Sequence, residues 1–346
     1  MIEFIKLDAN SMVPKYMQII DSIIYNITVG NVKIGDKIPS INKLSEEFYL
    51  SRDTVERAYS VLKKRKVVVS VHGKGTYVSQ NQINSKQNVL FLVNKLSTFK
   101  MKVYDSFVKE IGDNYQVDLH SYHCDESLFL ELLTKYKSTY DYYVIVPHFR
   151  SKTLLHKNST DKVSAIINDL PKNNLVLLDN KEHNIKGDFI EVSQDYEKDI
   201  ISALEAAKKK IVKYNKLTLV YPKSTFYPYP RKILTGFKKY CTQNNFKFEI
   251  IEEVSNETPV DSKSLFITIE ENDLVNIVNK VRANNYILGK DVGVISYNDT
   301  PLKQLLGITV ITSDFISMGS QAAKMVLKNK KEKQKTPFNF IDRESL

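Results

Sequence analysis

Only two cysteines occur in this sequence, Cys124 and Cys241, far apart and without the spacing of a metal site. That argues against a disulfide framework or a cysteine-based zinc centre and suits a reducing cytoplasm. The expectation is two buried thiols. No stretch approaches eighteen apolar residues free of charge, so no membrane-spanning helix is expected. The first residues lack a basic segment followed by an apolar one, so no signal peptide is expected either. Also missing are G-x-S-x-G, a glycine-rich dinucleotide loop and His/Asp/Glu groups at metal-ligand spacing. These absences point away from an enzyme, a cofactor or a metal.

The length, 346 residues, allows two domains, and 42% hydrophobic residues suffice for real cores. The net charge of +10 is compatible with a polyanionic partner. Residues 1–80 hold 12 basic and 8 acidic side chains, a surplus of four. Part of the remaining surplus sits in "KNKKEKQK", which reads as a solvated, mobile run. Charge alone decides little; pattern decides more.

In "PKYMQIIDSIIYNITVG" the residues Tyr16, Ile19, Ile20, Ile23, Ile24 and Ile27 recur at helical spacing, and Gly30 is placed to stop the helix. Ser40 reads as the cap of a short helix with Ile41, Leu44 and Phe48 on one side. Ser51 caps a third, "RDTVERAYSVL", whose Val55, Ala58, Tyr59 and Leu62 form one buried face. "VVVSVHGKGTYVS" then reads as a hairpin with His72, Gly73, Lys74 and Gly75 at its tip. Three short helices and a hairpin predict a winged helix-turn-helix, with the first turn of the third helix free to enter a major groove of double-stranded operator DNA. Arg52 suits a guanine edge or a phosphate, and Thr54 with the first-turn N–H groups suits phosphate oxygens. "HGKGT" is not a phosphate-binding P-loop, because the order is Lys-Gly-Thr and a strand follows.

These motifs, "PKYMQI", "VGNVKIGDKIPS", "LSRDTVERAY" and "HGKGTYV", resemble the GntR family of bacterial transcription regulators over residues 14–79. The resemblance implies DNA contacts from Arg52, Thr54 and Gly73, beside the candidates Ser40, Ser51, His72 and Lys74. Asn42 and Glu56 stand where that family often has arginines, so the operator should differ from its common one.

Beyond "SQNQINSKQ", a polar linker, strands and helices alternate, which predicts parallel sheets covered on both faces. About 250 such residues suit two similar lobes. "LGKDVGVISYNDTPL" and "GITVITSDFISMGSQAAKMVL" resemble the sugar-binding domain of the lactose-repressor family, itself similar to periplasmic sugar-binding proteins. The expected organisation is a DNA-binding domain at 1–79, a linker at 80–87, a two-lobed effector and dimerisation domain at 88–336, and a tail at 337–346. The fold class expected is thus an N-terminal α+β winged helix-turn-helix followed by a C-terminal α/β, two-lobed, parallel-sheet domain like the periplasmic binding proteins.

Strand ends carry Asn94, His148, Asp179, Tyr221, Glu270 and Asn298, groups that suit sugar hydroxyls or an aromatic stacking face. The resemblance implies ligand roles for Asp179, Asn298 and the aromatic Phe315. Glu270 falls where an asparagine is common, and Ile233 replaces an arginine for which Arg231 is a candidate substitute. Gln194 is a further candidate, and "FYPYP" is a rigid loop or a stacking platform. Two carboxylates, Asp179 and Glu270, would repel anions, which favours a neutral pentose or deoxyhexose. The function expected is a homodimeric repressor of carbohydrate-utilisation genes that such a monosaccharide releases from its operator. The alternatives are a GntR-type regulator of a non-sugar metabolite and an enzyme domain fused to a winged helix.

Overall fold

The computed structural model describes residues 2–8, 11, 13–79, 86–157, 159–181, 184–223 and 225–346. The chain forms two compact units, one up to residue 87 and one from residue 88.

In the first unit, α1 (Lys15–Thr28) buries Ile19, Ile20, Ile23 and Ile27. Gly30 follows with φ +80°, a conformation that favours glycine. The short α2 (Ile41–Glu47) starts at Ser40, whose hydroxyl accepts from the Lys43 N–H at 3.2 Å. In α3 (Arg52–Lys64) the residues Val55, Ala58, Tyr59 and Leu62 are the buried ones, the face the periodicity predicts. Tyr59 donates from its hydroxyl to the Pro39 carbonyl at 2.5 Å, fastening α3 to the segment before α2. The hairpin is β1 (Val68–Val71) paired with β2 (Gly75–Val78), which leaves His72, Gly73 and Lys74 at the tip. Ile38 donates its N–H to Thr76 O at 2.9 Å, and Gly35 donates to Val78 O at 3.0 Å. The stretch before α2 therefore braces the wing, with Lys37 forming an isolated antiparallel bridge to Tyr77.

The second unit opens with β3 (Gln87–Val93), α4 (Thr98–Ile111), β4 (Tyr115–Ser121), α5 (Glu126–Tyr136) and β5 (Tyr142–Ile145). A small antiparallel pair, β6 (Phe149–Arg150) and β7 (His156–Lys157), precedes α6 (Asp161–Asn168), β8 (Leu175–Asp179) and β9 (Ile190–Ser193). The chain then crosses to α7 (Tyr196–Ala206), α8 (Lys208–Ile211), β10 (Lys216–Val220), α9 (Arg231–Gln243), β11 (Lys247–Ile251) and β12 (Ser264–Thr268). α10 (Glu271–Ala283), β13 (Val292–Tyr297), α11 (Pro301–Leu305) and β14 (Thr309–Ser313) follow. It returns for α12 (Phe315–Leu327) and β15 (Lys333–Lys335), and crosses again to β16 (Phe338–Ile341).

Each lobe is one six-stranded sheet, ordered β15-β9-β8-β5-β3-β4 in the first and β11-β10-β12-β13-β14-β16 in the second. β3, β5, β8, β9 and β15 pair in parallel, as do β10 to β14; β16 is antiparallel to β14. Both faces of the central strands are buried, so those strands are mostly apolar, with a few buried Ser and Thr such as Thr218 and Ser296 in the second sheet. In β3 the side chains of Val89, Phe91 and Val93 enter the core under α4 and α12, while Leu90 and Leu92 enter the opposite one. In each lobe the first strand, β3 or β10, has its next two strands on opposite sides. Those reversals open a crevice at the carboxyl ends of the strands, where open parallel sheets bind ligands.

Three segments join the lobes, after β9, β14 and β15. They are bonded to each other: Thr336 N–H donates to Ser193 O at 2.8 Å, and Asp314 N–H donates to Pro337 O at 2.9 Å.

The expected tail is not one. Phe338–Ile341 pairs with β14, Arg343 makes two bonds to the Asp299 carboxylate at 2.9 and 2.8 Å, and Leu346 is buried in the lobe's core. "KNKKEKQK" exposes its side chains, yet the backbone of Lys333–Lys335 extends the first sheet through β9. Charge on the side chains hid a backbone role. Of the linker expected at 80–87, residues 80–85 lie outside the described residues, and Gln87 already belongs to β3.

At Gly319, α12 rests directly on α4: a Cβ there would collide with the Val103 carbonyl and the Ser106 hydroxyl. Gly319→Val should destabilise the second unit by about 1–3 kcal/mol, as overpacking a tight contact does. Chemical denaturation followed by tyrosine fluorescence measures it, and unchanged stability would contradict the packing.

Candidate DNA-reading surface and effector cleft

On the first unit, the residues singled out for DNA lie on exposed ends. Arg52 opens α3 with its side chain 65% exposed and pairs with Glu56 Oε1, at 3.4 Å, one helical turn on. Such an exposed pair contributes little and is readily exchanged for a phosphate or a base edge. Glu56 thus tethers Arg52, a link the sequence reading did not draw. Ser51 caps α3 by accepting from the Thr54 N–H at 3.3 Å, and its hydroxyl lies 2.7 Å from Thr54 Oγ1. The Thr54 N–H is therefore committed to the cap and is not free for phosphate. Ser40 is likewise a cap. His72, Gly73 and Lys74 are exposed, Gly73 has φ +70°, and Tyr77 supports the tip by donating to Lys74 O at 3.1 Å.

In the second unit a cavity of about 430 Å³ lies between the lobes. Five of the six expected effector residues line it: His148, Asp179, Glu270, Asn298 and Phe315. Arg231 does not; it is an exposed first residue of α9, and Ile233 lines the wall instead. A helix turns Arg231 and Ile233 to different sides, so the arginine cannot substitute from two positions away. Asn94 and Gln194 also line the cavity. Tyr221 does not; its hydroxyl donates to Tyr229 O at 2.8 Å.

Asp179 is the centre of the wall, but it faces the protein. Lys100 Nζ and His148 Nε2 bind its Oδ2, the histidine at 2.9 Å. Gln194 Nε2 and the Tyr196 hydroxyl, at 3.0 Å, bind its Oδ1. Four donors fill the lone pairs of one carboxylate, so a ligand hydroxyl must displace one of them. Burial opposes ionisation of Asp179, yet Lys100 and His148 outweigh it and hold the carboxyl well below the ordinary aspartate range. Burial pushes the His148 imidazole below its ordinary value against the pull of Asp179. Its Nδ1 meets His156 Nε2 at 3.2 Å, and His156 is pushed down to about 3, first by burial and then by His148.

Asn298 ends β13 with φ +62°, and Lys303, 2% exposed, holds the turn by donating to Tyr297 O at 2.7 Å and Asn298 O at 3.0 Å. Burial lowers the Lys303 ammonium to about 8. Glu270 Oε1 accepts from the Tyr229 hydroxyl at 2.7 Å. Phe315 packs against Phe99 with ring centres 5.3 Å apart. The "FYPYP" loop reaches from the second lobe onto the first: Arg150 lies 3.9 Å from the Phe226 ring centre, and the Tyr227 hydroxyl is 3.0 Å from His123 Nδ1.

Lys95, Lys100, Tyr196 and Lys303 line the cavity without having been singled out from sequence, and Tyr229 brings the "FYPYP" loop to it. In a chain with 50 basic residues, a lysine after a strand carries no distinguishing mark. The pairing of Lys100 with Asp179 also removes the charge repulsion expected from that carboxylate.

Residues 15–78 match the family described as "Bacterial regulatory proteins, gntR family". The first unit carries a GntR-family helix-turn-helix domain. The chain is 35% identical over 95 residues to the mannosyl-D-glycerate transport/metabolism system repressor MngR of Escherichia coli, covering 28% of this chain and 37% of that protein. The second unit has the fold of the LacI-type and periplasmic-binding-type regulators. One solved relative is a LacI family regulator from Lactobacillus casei with bound glucose, at 15% identity and TM-score 0.56 over 75% of this chain and 99% of that one. Another is the trehalose repressor from Escherichia coli, at 14% identity and TM-score 0.58 over 74% and 100%. At these identities the likeness speaks for the fold.

A depressed carboxylate pKa stabilises the folded state above the unfolded value, near 3.9, and that contribution is lost as pH falls through the folded value. Lys100→Met should cost about 3–5 kcal/mol at pH 7, because it leaves a buried charge uncompensated. The gap to wild type should narrow on acidification. Urea unfolding at pH 7 and pH 3 checks this, and an equal gap at both would contradict the role of Asp179.

Proposed function

We propose that this protein is a DNA-binding transcriptional repressor of carbohydrate-utilisation genes, released from its operator when a small sugar occupies the interlobe cleft. One observation carries the reading: a single chain joins a GntR-type winged helix to a cleft whose wall combines carboxylate, amide and aromatic groups. The names of MngR and the trehalose repressor, and the glucose held by the Lactobacillus casei relative, support it.

Arg52 reads a base edge or a phosphate in the major groove, Thr54 contributes its hydroxyl, and Gly73 and Lys74 bring the wing against the sugar–phosphate chain. Ser40 and Ser51 act by holding the helix starts. Two copies read the two halves of a symmetric operator. In the cleft, a sugar offers hydroxyls to Glu270 and Asn298, stacks on Phe315, and competes for the donors that crowd Asp179 and His148. The lobes close around it, and the closed state no longer holds the two reading helices at the operator's spacing. Only a sugar bound more tightly by one state than the other produces this effect. A pentose or deoxyhexose would fit the volume, but with Lys100 neutralising Asp179 the cleft gives no reason of charge to prefer a neutral sugar.

Binding to a selected pool of duplex DNA, with and without a sugar panel, tests the function. A specific site whose occupancy falls with one sugar supports it; the lack of any preferred sequence overturns it. On that site, Arg52→Ala should weaken binding about 5- to 150-fold, the equivalent of 1–3 kcal/mol, and relax selectivity at one base pair. Fluorescence anisotropy at fixed salt measures both. Binding and selectivity equal to wild type would remove Arg52 from the interface.

A further inference from the structure

Two neighbouring side chains at the end of β3 are left unanswered by the rest of the cleft. The wall carries three ammonium groups among the described residues: Lys95, Lys100 and Lys303. Lys100 is matched by Asp179, and Lys303 is engaged by the Tyr297 and Asn298 carbonyls and pairs with Glu271 at 4.0 Å. Lys95 has only the faces of two rings, Tyr227 at 5.4 Å and Tyr229 at 5.3 Å from their centres. Among the described residues no carboxylate stands within ion-pair distance of it. Burial lowers its pKa, and Lys100 nearby adds to that, with Glu270 acting the other way. Next to it Asn94 is 5% exposed and lines the cavity, with its Nδ2 3.5 Å from Cys124 Sγ and its Oδ1 without a hydrogen-bond partner among the described residues. A half-buried cation without a counter-ion and a buried acceptor without a donor are both costly to keep empty.

The other wall carboxylates, Glu270, which accepts from Tyr229, and Glu271, 4.0 Å from Lys303 Nζ, lie on the second lobe, while Lys95 and Asn94 lie on the first. Lys95 is thus the wall ammonium among the described residues that has no carboxylate at ion-pair distance, and a ligand with one anionic end has a favoured orientation toward it.

We infer that the effector is a polyhydroxylated anion, a sugar carrying a carboxylate or a phosphate, seated with its anionic group on Lys95. The hydroxyl beside that group donates to Asn94 Oδ1, and the remaining hydroxyls face Glu270 and Asn298. The reverse orientation would put the anion against Glu270 and Glu271. Because Lys95 also lies beneath Tyr227 and Tyr229 of the opposite lobe, filling its coordination ties ligand charge to lobe contact. This inference rests on reading the cleft as the effector site.

The test uses the full chain and matched probes: glucose, galactose, mannose, arabinose and ribose, each against its terminal phosphate and its uronic or aldonic acid. Thermal shift finds binders, and titration calorimetry gives their affinities. The expected result is binding by a phosphate or an acid at least about tenfold tighter than by its parent sugar, that factor being 1.4 kcal/mol. The phosphate and acid arms separate the two kinds of anion. Lys95→Met should remove that preference, whereas Lys95→Arg, which keeps the charge, should retain it. Binding by neutral sugars alone overturns the inference and leaves the cleft reading intact. An anion preference that survives in Lys95→Met also overturns it. If no probe binds, both the inference and the cleft reading fall.

Discussion

The carboxylate of Asp179 organises the second unit. It ends β8 in a left-handed turn, φ +73°, and gathers a lysine from α4, a histidine from beyond β5, and a glutamine and a tyrosine from the first crossing between lobes. Four separate segments thus meet at one charge. Gln194 lies in the crossing and Tyr196 opens α7 just past it, so the bonds around the carboxylate reach the connection between the lobes. Gln194 is itself bonded to Ser313 at the second crossing, so two of the three connections share this network. The cavity wall and two of the lobe connections are thus joined by hydrogen bonds.

In the first unit the governing constraint is apolar. Val55, Ala58, Tyr59 and Leu62 are held against α1 and α2, which fixes where the first turn of α3 points. Ser51 then stabilises that turn by occupying one of its unpaired N–H groups. The tip that results has its first turn capped, and its Arg52 side chain is exposed and held only by a weak pair with Glu56 among the described residues.

Much of this was legible in the amino-acid order. The buried face of α3, the caps Ser40 and Ser51, the hairpin tip and the two-lobed alternation follow from spacing, because helix and strand periods leave direct traces in sequence. Five of six effector candidates reached the cavity for a related reason: strand ends in parallel sheets converge on one crevice. The misses share a cause too. Lys95, Lys100 and Lys303 have the residue type of the solvated surface, and only tertiary placement separates them from it. Asp179 was found, but not its saturation, since its four donors come from distant segments. The β15 strand was obscured by a lysine-rich run whose contribution is through its backbone.

The late return of the chain to the first lobe bears on how the protein is made. A ribosome releases β3 long before it releases α12 and β15, which complete the same sheet and its helical cover. Until then Val103 and Phe107 of α4 lack the surface that shields them, whereas the DNA-reading unit already has every residue of its core. The nascent protein therefore acquires a finished head on an unfinished body, and it is during that interval that chaperones have an oily face to guard.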